Sequence, residues 1–345
     1  MKLFSVLAGL AGLTLIAVLI AHFGVSAVTR SLIAFGWTGF TTVCMIHLAL
    51  IAVMGIAWAA LLPGTRTWVA IWGRLVRDSG SEVLPLSQVG GYVLGARAVT
   101  FAGVSGTDAT ASTIVDVTLE LFAQIAYTAL SVSWLSYLSP EAAVLTPVAI
   151  GLAVSGSLAL AFLGVQRHGF DLLGRFAEMV SRGWAGKTAA GAAALHTALR
   201  KIYGWRARVW CSFILHLACW IASTLEAWAA LWLADAPLGF STVLVIESFL
   251  YAARSAAFAV PNAVGVQEGA YILIGAGFGL TPEMALALSL LKRGRDLIIG
   301  LPVLAAWQLL ESGRLWRRAA GTNAPALKRS PGRDGRGFCP DSWLR

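Results

Sequence analysis

Val260-Pro261-Asn262-Ala263-Val264-Gly265-Val266-Gln267-Glu268-Gly269 interrupts the apolar segment between Asp235 and Pro282. Proline lacks a backbone donor and glycine admits positive φ, so a continuous helix is not expected through this stretch. The apolar piece that follows, Gly269 to Gly279, holds about 11 residues, or roughly 17 Å of helix, against a bilayer core of about 30 Å. It is too short to cross. Asp235 to Pro282 therefore reads as a re-entrant hairpin, broken near Pro261-Asn262, with both ends on one side of a membrane. Irregular backbone at that depth is tolerated only where protein or a wet cavity covers it. The break thus becomes a candidate functional region.

The rest of the chain agrees with a membrane setting. Its 345 residues are 58% hydrophobic and 12% charged, with a mean hydropathy of +0.75. A soluble protein carries roughly twice that charged fraction. This excludes a soluble enzyme, a disordered protein and a coiled coil. The expected fold is an all-α polytopic membrane protein with about six full transmembrane helices, two re-entrant hairpins and an inverted repeat. The six crossings are Leu3 to Phe23, Phe40 to Leu62, Thr110 to Leu138, Ala142 to Gln166, Val209 to Ala234 and Pro282 to Leu310. Residues 1–318 form the membrane domain, and residues 319–345, rich in Pro, Gly and Arg, read as a disordered basic cytoplasmic tail.

Charge sets the orientation. Arg167 to Arg208 and Ser312 to Arg345 each carry a net +6, which leaves −3 for the remainder of the chain's +9. Basic segments between and after apolar spans follow the positive-inside rule, so they imply cytoplasmic loops and not nucleic-acid binding. Both termini are then cytoplasmic in a multi-pass protein of a bacterial inner membrane. The weak cleavage-like Val25-Ser26-Ala27 is read as uncleaved. Parity makes glycine-rich Leu86 to Gly106 the second re-entrant segment, entering from the cytoplasm. Arg66 to Arg77 places Trp68, Ile71, Trp72 and Leu75 opposite Arg66, Arg74 and Arg77, the pattern of a helix lying in the interface. Phe170 to Gly183, with Asp171–Arg175 and Glu178–Arg182 pairs, reads as a second amphipathic helix.

An A-R-x-x-x-F-A match links Ala96-Arg97 through Phe101-Ala102 with Ala253-Arg254 through Phe258-Ala259, one in each re-entrant segment. Opposed entry of two such segments is the arrangement of inverted-repeat transporters. Ionisable groups at membrane depth cost roughly 2.5–3.5 kcal/mol each and usually face the interior. Asp116, Glu120 and Gln124 recur at every fourth residue, with Tyr127 and Ser131 extending the stripe. In the last crossing Lys292 and Asp296 read as an i,i+4 pair, leaving Arg293 and Arg295 to find partners. Glu247 and Arg254 share a face of the hairpin, and Glu268 follows its break. Acids of the third crossing and bases of the last are expected to meet. They serve either as interhelical ion pairs or as a polar cavity for a lipid headgroup or a proton. Glu226 receives no role. No HxxxH spacing occurs, and Cys44, Cys211, Cys219 and Cys339 lack CxxC spacing, so neither a metal site nor a disulfide is expected.

Pro261 to Gly269 resembles the Pro-Gly-Gly-hydrophobic-Gly-Val-Arg-Glu-Gly signature of the lysylphosphatidylglycerol-synthase transmembrane, or flippase-like, family. Arg254-Ser255, Lys292-Arg293, and the acids Asp116 and Glu120 also look like family positions. Gln267 before Glu268 and the Ala-Leu-Ser-Leu-Leu-Lys-Arg run are most similar to hopanoid-biosynthesis-associated membrane proteins of HpnL type. The resemblance covers nearly everything before the tail. The resemblance implies lipid or cavity binding by Asp116, Glu120, Arg254, Pro261, Asn262, Gly265, Gln267, Glu268, Lys292 and Arg293; the repeat and the charge pattern add Arg97, Gln124, Glu247 and Asp296, and no cofactor is expected. Asn262, Ala263 and Gln267 depart from the signature. A neutral glutamine in place of arginine disfavours an anionic phospholipid and suits a hopanoid-type lipid. The expected activity is lipid transport or flipping, not catalysis. Two alternatives remain: a non-transporting assembly partner of hopanoid-pathway membrane proteins, or an intramembrane lipid-modifying transferase.

Overall fold

A computed structural model describes residues 25–84, 87–138, 145–164, 166, 185–257 and 260–322. The Leu3 to Phe23 crossing, the 170–183 helix and the tail beyond Thr322 lie outside them. Among the described residues the chain is all-helical, without strands. The helices are α1 (Val25–Ala60), α2 (Thr67–Val83), α3 (Ser87–Thr100), α4 (Gly106–Leu138), α5 (Leu145–Gly164), α6 (Ala185–Gly204), α7 (Arg206–Leu233), α8 (Phe240–Ala256), α9 (Val266–Ala276) and α10 (Pro282–Thr322). Residues 1–305 form one compact unit, and residues 306–345 a second, whose described part is the end of α10.

Among the described residues, three stretches, Leu32–Ala60, Gly106–Tyr137 and Arg206–Leu233, are long and apolar enough to cross a membrane. They lie in α1, α4 and α7, where crossings are expected. A fourth, Pro282 to Leu310, is helical, but Lys292, Arg293, Arg295 and Asp296 crowd its first third. Its helix therefore owes its place to the partners it finds, not to hydropathy.

Among the described residues, two of the apolar clusters fix the hairpins. Phe35 and Val43 of α1, Ala230 and Leu231 of α7, Ile246 and Leu250 of α8, Tyr271 of α9 and Leu288 of α10 form one. Trp58 of α1, Val69 and Ala70 of α2, Val99 of α3 and Ala109 of α4 form another. Hence a long helix, a helical hairpin and a second long helix recur twice in the chain: α1, α2–α3, α4 and again α7, α8–α9, α10. The first arms, α2 and α8, are 17 residues each.

The first hairpin corrects the sequence reading. Leu86 to Gly106 does not enter and leave by itself. It is the second arm, and the first arm is α2, the helix expected to lie in the interface. Its polar face is turned inward: Arg74 is 3% exposed and Arg77 2%, while Trp68 is 60% exposed. In a bilayer an amphipathic helix gains by giving its apolar side to lipid and its charges to protein partners. The arms approach so closely that a Cβ on Gly91 would lie 2.0 Å from Ser81 Oγ and 2.4 Å from the Arg77 carbonyl oxygen. Only glycine fits there.

The second hairpin matches its expected place. α8 ends at Ala256, a short 3-10 turn covers Pro261–Ala263, and α9 begins after Gly265, whose φ is +83°. The break meets the first hairpin's tip, where the Asn262 amide donates to the Glu82 carbonyl at 2.6 Å and Arg254 donates to the Glu82 carboxylate at 2.9 and 2.8 Å. The A-R-x-x-x-F-A match, in contrast, is not a structural repeat. Arg97 stands in the last turn of a second arm and Arg254 in the last turn of a first arm. The element order repeats; that motif does not.

A charged cavity between the hairpins

The stripe on α4 decides where charges collect. Residues four apart share a helix face, and Asp116 and Glu120 meet Arg74 and Arg77, which are three apart on α2. Arg74 grips Glu120 with two donors, at 2.9 and 2.7 Å, and donates through Nε to Asp78 at 2.8 Å. Arg77 donates to Asp116 at 2.6 Å and also to Glu120. Its guanidinium lies 4.6 Å from the Tyr92 ring centre, and Asp116 accepts or shares a further hydrogen bond with His216 Nε2 at 2.9 Å. Two turns further along α4, Gln124 donates to the Tyr251 carbonyl at 3.0 Å and to Ser255 Oγ at 2.7 Å. Bidentate arginine–carboxylate pairs of this kind fix geometry as well as charge.

A second group gathers around α10. Arg295 pairs with Glu226 of α7 and donates to Asp296 at 3.0 and 2.7 Å, while His47 Nδ1 of α1 lies 2.9 Å from Glu226. Lys292 donates to Glu247 at 2.5 Å, and the Tyr271 hydroxyl donates to the other oxygen of the same carboxylate at 2.5 Å. The break forms its own knot. Glu268 accepts from the Gly265 amide at 2.7 Å and from Arg293 Nε at 2.5 Å, and Arg293 also reaches the Asn262 and Ala263 carbonyls at 3.4 Å. Gln267 donates to Ser289 Oγ at 2.9 Å, whose hydroxyl donates to Glu268 at 3.0 Å.

Between the first two groups lies a cavity of about 350 Å³. Its walls carry four arginines (Arg74, Arg77, Arg254 and Arg295) and four carboxylates (Asp78, Glu82, Glu120 and Glu226), so their formal charges cancel. Tyr92, Trp220 and Tyr251 supply aromatic surface, with the Trp220 and Tyr251 rings edge to face at 4.8 Å.

Of the residues expected at a site, Glu120, Gln124 and Arg254 line this cavity. Asp116 is fully buried behind them, as are Glu247 and Lys292, and Asp296 stands behind Arg295. Arg254 and Asn262 border a smaller cleft at the hairpin tips with Glu82. Pro261, Gly265, Gln267, Glu268 and Arg293 belong to the hairpin break. Arg97 is exposed in the last turn of α3. Two expected contacts are corrected. Lys292 takes Glu247 and not Asp296, because Arg295 already covers Asp296. Glu120 does not meet Arg293; each is held by a partner closer in its own half. Glu226, left without a role, is a hub for His47 and Arg295. Gln267, placed by its motif where an arginine would bind phosphate, instead points at Ser289 and is 1% exposed. Missed altogether were Arg74 and Arg77. Two acids one turn apart on α4 call for two bases three or four apart, and Arg74 and Arg77 are one such pair.

A multi-pass helical membrane protein with a charged interior cavity is thus defined by the fold. The family model for the lysylphosphatidylglycerol synthase TM region matches residues 5–303, and the chain belongs to that family. No curated protein and no solved structure matches the chain.

Proposed function

We propose that this protein moves a lipid across the bacterial inner membrane, with the lipid's polar headgroup passing through the cavity between the two hairpins. Family membership supports a role in lipid handling. The observation that carries the reading is the cavity itself. About 350 Å³ of polar space, with eight charged groups on its walls, sits in a chain of mean hydropathy +0.75. Pockets of roughly 300–1,000 Å³ hold small polar ligands. Balanced wall charge favours a headgroup with little net charge, as a hopanoid-type lipid has, over an anionic phosphate. The paired hairpins serve as the broken elements of an inverted-repeat transporter, with both termini cytoplasmic and the basic segments between α5 and α7 and after Glu311 facing the cytoplasm.

One observation favours the second reading, a non-transporting assembly partner: each charged group lining the cavity already has an opposite partner, so the network also suits a rigid scaffold. The transferase alternative draws less support, since the carboxylates of Asp116 and Glu120 are committed to Arg74 and Arg77. Purified protein in liposomes separates the readings. Labelled hopanoid-type and phosphatidylglycerol lipids are placed in one leaflet and followed into the other. Hopanoid movement well above empty liposomes, with the phospholipid slower, is the expected result. No movement of either lipid would favour the scaffold, and a new lipid product would favour a transferase.

A further inference from the structure

Among the described residues, the charges of the ion-pair network do not balance without protons. Six bases (Arg74, Arg77, Arg254, Lys292, Arg293 and Arg295) face eight carboxylates in the ion-pair network around the cavity and hairpins. Arg254 with Glu82, and Arg293 with Glu268, are complete as pairs. The deficit falls equally on the two remaining groups. Around α4, two arginines meet Asp78, Asp116 and Glu120. Around α10, Lys292 and Arg295 meet Glu226, Glu247 and Asp296. Each group lacks one positive charge, and each contains one histidine at 2.9 Å from a carboxylate: His216 on Asp116 and His47 on Glu226. An uncompensated charge in a low-dielectric interior is strongly unfavourable. Each deficit therefore has a histidine ring beside one of its carboxylates, where an added proton would restore the balance.

The two histidines differ in access. His216 is sealed at 0% exposure, with Nδ1 buried and without a hydrogen-bond partner. The His47 side chain is 23% exposed and lines the cavity. We propose that His47 and Glu226 form a proton-binding site open to the cavity, and that a proton gradient across the membrane drives lipid movement through it. His47 takes a proton from cavity water to become an imidazolium that donates to Glu226, and later returns it to water. No other bond changes. The titratable and charged groups that share the cavity wall with His47 are Glu226 on α7, Arg295 on α10, Tyr251 and Arg254 on α8, Arg74, Arg77, Asp78 and Glu82 on α2, Tyr92 on α3 and Glu120 on α4. Glu226 is the hinge of the site because its second oxygen holds Arg295, so the charge on His47 bears directly on the α7–α10 contact. The coupling rests on the lipid-moving reading; the bound proton does not.

Two measurements on the full chain test this. In nanodiscs with nitrogen-15 histidine, the ring signal that disappears in His47→Gln should pass from one protonated nitrogen to two as the pH is lowered, and Glu226→Gln should move that transition to lower pH. A His47 signal indifferent to pH, or a transition that Glu226→Gln leaves unmoved, would overturn the proton site. In liposomes, hopanoid movement should change several-fold with an imposed gradient of one pH unit, and His47→Gln should move lipid at a rate indifferent to it. A wild type indifferent to the gradient overturns the coupling. An imidazolium at His47 without movement of any lipid would support the proton site while sinking the lipid-moving reading, so the two failures are distinct.

Discussion

The two hairpins place opposite charges at matching positions. Arg74 and Glu247 each stand seven residues into a first arm, and Asp116 and Lys292 each stand ten residues into the long helix that follows a hairpin. In the first half the arm carries the base and the long helix the acid; in the second half these are exchanged. Register has been kept while sign has been swapped. What the fold requires at those positions is a compensated pair, and which member is cationic is free to vary. The halves also differ in access. Arg74 and Arg77 border the cavity, whereas Lys292–Glu247 is closed off beneath Tyr271. Both halves line the cavity, but only the second also holds a closed-off pair at this register position.

The largest effect should come from breaking that compensation. Arg77→Gln leaves Asp116 and Glu120 with one arginine between them, and Lys292→Gln leaves Glu247 with only the Tyr271 hydroxyl. Removing one partner of a buried pair typically costs about 3–5 kcal/mol. Both variants should lose most of their folded, monodisperse yield in detergent, measured by size exclusion after heating. The exchange Glu247→Lys with Lys292→Glu should recover much of it, since it recreates the sign order of the first half. Failure of the exchange, with both singles destructive, would show that sign is fixed and that the matching register carries no meaning.

Backbone fit gives a smaller effect and sharpens the contrast between the hairpins. In the first hairpin glycine is required by proximity: Gly91 sits against Ser81 and the Arg77 carbonyl. In the second it is required by conformation: Gly265 has φ +83°. Overpacking costs roughly 1–3 kcal/mol, and a strained backbone at positive φ costs a similar amount. Gly91→Ala should already lower thermal stability, because any Cβ collides. Gly265→Ala should lower it through strain, and Gly265→Asn should recover part, since asparagine tolerates that region. Gly164→Ala, with nothing within 4 Å of its added Cβ, should be neutral. Equal losses at Gly91 and Gly164 would dismiss the close approach of the arms.

Much of this architecture was legible in the sequence. Hydropathy located α1, α4 and α7, and Pro261 with the short apolar piece after it located the second hairpin. The four-residue spacing of Asp116, Glu120 and Gln124 identified the inward face of α4. The first hairpin was misread for a physical reason. Trp68, Ile71, Trp72 and Leu75 opposite Arg74 and Arg77 is the same pattern whether the helix rests on a bilayer or stands within it. The pattern gives the faces, and only the partners say which way they turn. Partner choice was likewise illegible, because i,i+4 spacing offered Lys292 the acid Asp296 while the fold offered it Glu247. Helix-surface pairs are worth only a few tenths of a kcal/mol, so a better-placed acid on another helix wins.

The smallest expected effect is a coupling close to zero, and it tests the separation of the halves most directly. Acids on the third crossing and bases on the last invite a bridge between Glu120 and Arg293, but Glu120 is held by Arg74 and Arg77, and Arg293 by Glu268. Glu120→Gln and Arg293→Gln should each lower stability, and the double variant should lose the sum of the two. Distant sites without shared partners add within roughly 0.3–0.5 kcal/mol. Glu120→Gln combined with Arg74→Gln should instead be less damaging than the sum, because the second change removes the charge the first one strands. Thermal unfolding in a single detergent measures both cycles. If Glu120 and Arg293 proved strongly coupled while Glu120 and Arg74 proved additive, the pairing within halves would be wrong. The charges would then form one bridge between the halves, and the sign exchange that distinguishes the hairpins would lose its basis.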